Sequence, residues 1–100
     1  MNKLEIAKAK SLRGEIVKSL YEFCDIPIPI NKIEELLMYK SFYNKNEIKR
    51  AVSYLAGEGK KFVSVEVNKK DYWASFIQLT PVGMNLAEGD RPDVGVLFSE

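Results

Sequence analysis

The chain has 100 residues, 46% hydrophobic and 29% charged, and a formal net charge of +1. That length suits one domain, the composition is that of a folded chain, and a single cysteine, Cys24, excludes an intramolecular disulfide. With no histidine, Ser-His-Asp catalysis, histidine general-base chemistry and most zinc sites are removed together.

The opening residues, Met1-Asn2-Lys3-Leu4-Glu5, have no apolar stretch of the secretory kind behind them, and no run approaches a membrane span. A cytoplasmic protein without membrane association is therefore expected. The small net charge hides an uneven distribution. Residues 44–73 carry seven basic side chains against four acidic, residues 1–24 five against three, and residues 74–100 one against four. This asymmetry hints at a polyanion-facing surface, although solvated lysines occur on most proteins.

Residues 3–24 have helical spacing: Leu12, Ile16, Leu20 and Phe23 recur on one side, with Val17 beside them. Gly14 costs such a helix about 1 kcal/mol against alanine. Ser11 offers an alternative, later start, which would leave residues 1–9 as an N-terminal helical extension or arm. Pro27 and Pro29 end the segment, and "DIPIPI" reads as a short extended connection or a lone edge strand. Asn31, with Glu34 three residues on, is the expected cap of a second helix with Ile33, Leu36 and Leu37 on its apolar face. Ser41-Phe42-Tyr43 is a short connection. Asn44 then caps a third helix, again with an acid, Glu47, three residues later. Ile48, Val52 and Leu55 form its buried stripe, and Gly57 and Gly59 are the candidate stops.

From Lys60 the period changes to two. Val63, Val65 and Val67 are expected on one side of a strand, with Ser64 and Glu66 on the other. A hairpin tip at Asn68-Lys69-Lys70-Asp71 leads to a returning strand with Trp73, Ile77 and Leu79 on one face. Thr80 caps a short last helix with Pro81 in its first turn, and Gly89 stops it. The tail "DRPDVGVLFSE" is acidic and then apolar. Internal repeats and low-complexity stretches are absent.

This order resembles a winged helix-turn-helix domain over residues 10–88. The resemblance is carried by "NKIEELLMYKSFYNKNEIKRAVSYLAGEG", the strand "KFVSVEV", the tip "NKKD" and the ending "FIQLTPVGMNLAEG". The expected fold class is α+β and mostly helical, with a three-helix core, a β-hairpin wing and a short C-terminal helix. Residues 89–100 are expected to be a tail. The chain is also similar to small winged-helix proteins encoded in Mu-like bacteriophages and prophages, through "SLRGEIVKSLYE" and "LTPVGMNLAEG".

In such domains the third helix enters the major groove and the wing touches the backbone or minor groove nearby. If Ile48, Val52 and Leu55 point inward, Asn46, Lys49, Arg50 and Ser53 lie on the far side. Arginine pairs with guanine and asparagine with adenine, while lysine and serine reach bases or phosphates. Lys45, at the helix start, suits a phosphate. Lys69 and Lys70 at the tip would add affinity without specificity, and Lys10 and Arg13 would clamp the backbone. Lys60 and Lys61 are open to either face.

Each of these residues has a plainer reading. The Lys49–Arg50 face and the Lys69–Lys70 tip are also what solvated surface looks like. Trp73 and Tyr72 suit base stacking or a core position, and Tyr54 suits DNA, a dimer contact or the core. Cys24 reads most simply as a small buried apolar residue. Leu97 and Phe98 suit docking on a partner, docking on their own domain, or disorder.

The expected function is thus duplex DNA binding by a transcriptional regulator of phage or prophage type, reading with helix 44–57 and touching the backbone with wing 67–73. Dimerisation through residues 3–24 and the tail is expected, because one small module gives little specificity alone. The alternative is a protein–protein adaptor on the same fold, since a pI near 7.8 is low for a dedicated DNA binder. No catalytic constellation, cofactor motif, metal-ligand spacing or small-molecule site is evident.

Overall fold

Asn2 starts the first helix: its Oδ1 accepts the Glu5 N–H at 2.9 Å. This computed structural model describes residues 2–23, 26–40 and 43–98. Helix α1 runs unbroken over Lys3–Phe23, so Ser11 lies inside it and does not begin it. Its first turns extend past the core and leave Leu4 82% exposed, while Leu12, Ile16, Val17 and Leu20 are buried. Cys24 and the Ser41-Phe42 part of the expected connection lie outside the described residues.

Strand β1 (Ile28–Pro29) runs directly into α2 (Ile30–Lys40). The Ile30 N–H donates to the Ser75 carbonyl at 2.8 Å, so the first N–H of the helix is satisfied by a residue far along the chain. Asn31 therefore sits within the first turn and is not the expected cap. Helix α3 (Lys45–Ala56) follows, then β2 (Val63–Glu66), a 3-10 turn at Tyr72–Ala74, β3 (Phe76–Leu79) and α4 (Pro81–Ala87). The three strands form an antiparallel sheet in the order β1-β3-β2. The architecture is α+β and mostly helical.

One core joins these elements. Ile30, Ile33 and Leu37 of α2 and Ile48, Val52 and Leu55 of α3 are buried against the α1 residues above. The sheet contributes Ile28, Val63, Ile77 and Leu79, and α4 contributes Leu86. Each such side chain contributes about 1.5–3 kcal/mol on leaving water. Thr80 caps α4 as expected, accepting the Gly83 N–H at 3.1 Å. Its hydroxyl also donates to the Lys61 carbonyl at 2.6 Å, which ties the cap to the start of the hairpin. Gly89 ends that region at φ 82°, a left-handed conformation that suits glycine.

The hairpin departs from its expected shape. Gly57 caps α3 in extended conformation, and the chain turns through Lys61 at φ 53°, so the strand starts at Val63 and not at Lys60. It ends at Glu66, which pairs with Phe76. Val67 consequently lies beyond the ladder and is 61% exposed. Trp73 belongs to the 3-10 turn and not to the returning strand. The expected lone edge strand at "DIPIPI" does occupy an edge, but it is paired: Ile28 lies opposite Ile77.

The tail folds back on its own domain. Leu97 N–H donates to the Lys10 carbonyl at 3.1 Å, and Val96 is buried. A Cβ on Gly14 would collide with the Leu97 carbonyl, so this glycine admits the tail against α1. No helix among the described residues is long and apolar enough to cross a membrane.

Candidate functional site

The N-terminus of α3 is fixed by a reciprocal pair. Asn44 Oδ1 accepts the Glu47 N–H at 2.9 Å, and Glu47 Oε1 accepts the Asn44 N–H at 3.0 Å. Burial of Ile48, Ala51, Val52 and Leu55 sets the helix rotation. Asn46, Lys49, Arg50 and Ser53 are thereby exposed, and they border one shallow recess. All four outward residues expected from the wheel are brought together. Glu47 is drawn toward α1, where its Oε2 lies 3.1 Å from Lys8 Nζ. The Asn44 N–H first, and Lys8 with it, hold the Glu47 carboxyl below its ordinary range despite some burial.

The β2–β3 loop is held by its own polar side chains. Asn68 Oδ1 accepts the N–H groups of Lys70 at 3.0 Å and Asp71 at 3.2 Å. Asp71 Oδ1 accepts the Trp73 N–H at 3.1 Å, capping the 3-10 turn. The buried Ser75 hydroxyl accepts the Asn68 N–H at 2.8 Å. Lys69 and Lys70 stay exposed. Tyr72 and Trp73 are half-buried and meet edge to face, with centroids 5.3 Å apart. Burial pushes the Tyr72 phenol up from its ordinary value.

These two rings face α3. Lys45 Nζ lies 4.9 Å from the Trp73 centroid and Lys49 Nζ 4.8 Å from that of Tyr72. Lys45 also lies 3.7 Å from Glu34 Oε2 of α2. Helix and loop thus share two cations on adjacent turns.

Arg13 does not join this surface. It is half-buried, stacks 3.9 Å from the Tyr54 ring and donates from Nη1 to the Gly95 carbonyl at 3.0 Å. Its Nε is buried without an acceptor. The side chain holds the tail, and this correction removes it from the expected phosphate clamp. Tyr54 donates to Asp93 Oδ2 at 2.7 Å, and Lys60 Nζ reaches Asp93 Oδ1 at 2.9 Å. Tyr54 and Lys60 therefore face the tail, while Lys61 is exposed. Burial works to raise the Asp93 carboxyl, but hydrogen bonds from Lys60, Tyr54 and the Gly95 N–H bring it below its ordinary value. The Asp93 hydrogen bond in turn raises Lys60.

Sequence reasoning missed Tyr72 as the partner of Lys49 and Asp93 as the anchor of the tail. Neither carries a local signal. Gly14 did carry one, because glycine inside a long helix often marks a close approach. No family model, curated protein or solved structure matches this chain.

Proposed function

We propose that this fold is a winged helix-turn-helix and that the protein binds duplex DNA through the outer face of α3. Asn46, Lys49, Arg50 and Ser53 read the major groove, and Lys45 takes a phosphate. Lys69 and Lys70 on the β2–β3 loop, the wing, add salt-dependent affinity. The observation that carries this reading is the uninterrupted exposure of those four α3 side chains, with the helix's only acid drawn away to Asn44 and Lys8. The role is that of a non-enzymatic cytoplasmic transcriptional regulator of phage or prophage type, acting as a dimer through α1 and the tail.

A second reading, a protein–protein adaptor, draws on the exposed apolar residues Val94, Leu97 and Phe98 beside α1. Anisotropy with a fluorescent random-sequence duplex separates the two. DNA binding is expected to fall steeply with salt and to be lost in the Lys49→Glu/Arg50→Glu variant. No binding at low salt would favour the adaptor.

A further inference from the structure

Residues 93–98 lie on α1 and α3 as a peptide lies in a binding site. Asp93 accepts from the Tyr54 hydroxyl at 2.7 Å and from Lys60 Nζ at 2.9 Å. Arg13 donates to the Gly95 carbonyl at 3.0 Å, and the Leu97 N–H donates to the Lys10 carbonyl at 3.1 Å. Val96 is buried with the core. Two glycines sharpen the fit. A Cβ on Gly95 would collide with the Tyr54 hydroxyl, and one on Gly14 with the Leu97 carbonyl. The seat therefore reads an acid, a glycine two residues on, and an apolar side chain after it.

These seat groups come from α1, α3 and Lys60, and none of them from the connector Glu88-Gly89-Asp90-Arg91-Pro92. That connector is exposed along its whole length, and it holds Gly89 at φ 82°. A tail arriving from a second copy would make the same bonds as the tail in cis, which is the condition for exchanging an identical element between chains. The sequence that the seat reads is this chain's own, so the second copy is the occupant the geometry specifies. Fully extended, five residues reach about 17 Å, which keeps two exchanging bodies close together. Val94, Leu97 and Phe98, exposed on the seated tail, supply apolar surface where those bodies adjoin. We propose that the seat on α1 and α3 takes the tail of a second copy, so that two chains dimerise by exchanging residues 93–98. This rests on the dimer reading above and deepens it; it uses nothing of the DNA reading.

The test mixes two full-length variants. Gly14→Ala blocks the seat and keeps the tail. Asp93→Asn/Gly95→Ala spoils the tail and keeps the seat. In the wild type a cis tail competes, at an effective concentration on the order of millimolar for a short connector; each variant removes that competitor. Alone, each is expected to stay folded by circular dichroism and to sediment at the 11.4 kDa of one chain. Mixed, they are expected to form a 1:1 complex of about twice that mass, as the sound tail of the first enters the free seat of the second. A mixture that stays monomeric, or a dimer formed by either variant alone, would overturn the proposal. The wild type gives a second measurement that needs no substitution. Carbon-13-labelled and unlabelled chains, refolded together at high concentration, are expected to show intermolecular NOEs between Leu97 of one copy and Lys10 of the other. A wild-type dimer without them would refute exchange and keep the dimer reading. A wild type that is monomeric at every concentration would refute both.

Discussion

Lys49 of α3 holds its ammonium 4.8 Å from the ring centroid of Tyr72 in the β2–β3 loop. One turn earlier Lys45 makes the same contact with Trp73. The cations that would meet DNA are thus ordered by aromatic rings from another element, and helix and loop behave as one surface. A partly exposed contact of this kind contributes about 0.5–1 kcal/mol. Lys49→Met is accordingly expected to lower stability by about 0.5 kcal/mol in urea melts. Lys45→Met, which removes the phosphate contact, is expected to reduce the salt slope of duplex binding by about 1.

Gly14→Ala sets helix propensity against space. In an open helix the change stabilises by about 1 kcal/mol. Here the added methyl would strike the Leu97 carbonyl. The expected outcome is a lower melting temperature together with faster amide exchange at Leu97. A gain in stability would mean that the tail does not lie on α1.

Asp93 makes the stability of the tail pH-dependent. Its carboxyl titrates below the ordinary 3.8 in the folded chain. Its contribution is therefore complete above that ordinary value and is lost as pH falls through the folded one. Lys60 acts in the opposite sense: raised above 10.5, it contributes below that value and loses its contribution as pH rises through the folded one. Asp93→Asn is expected to cost about 1 kcal/mol at neutral pH. It is also expected to flatten the acid limb of a melting-temperature profile.

The α3 cap is a local device and has a local test. Asn44→Ala removes the acceptor for the Glu47 N–H and is expected to cost about 1 kcal/mol. Asn44→Gly is expected to cost only a few tenths. Equal losses for the two would contradict the capping role.

What was legible in the sequence was what short range determines. The recurrence of Leu12, Ile16 and Leu20, and of Ile48, Val52 and Leu55, marks the buried faces of α1 and α3 because helical geometry alone aligns them. Asn44 and Thr80 were readable as caps because each acts on an N–H three residues away. Asn31 failed because α2 already begins at Ile30, whose N–H is held by the Ser75 carbonyl far along the chain. The alternating valines predicted a longer strand, but the Asn68, Asp71 and Ser75 side chains bend the backbone into a loop first. Arg13 was misassigned because a helical wheel gives direction without saying what covers it, and the tail does so here. The outer face of α3 needed nothing beyond its own sequence.

Amide chemical-shift mapping with a random-sequence duplex at low salt tests the central claim most directly. The expected shifts cluster at residues 44–53 of α3 and 68–73 of the loop, spare α4, and shrink together as salt is added. A duplex that moves no amide, or moves only those of the tail at 94–98, would contradict a DNA-binding role for the α3 face.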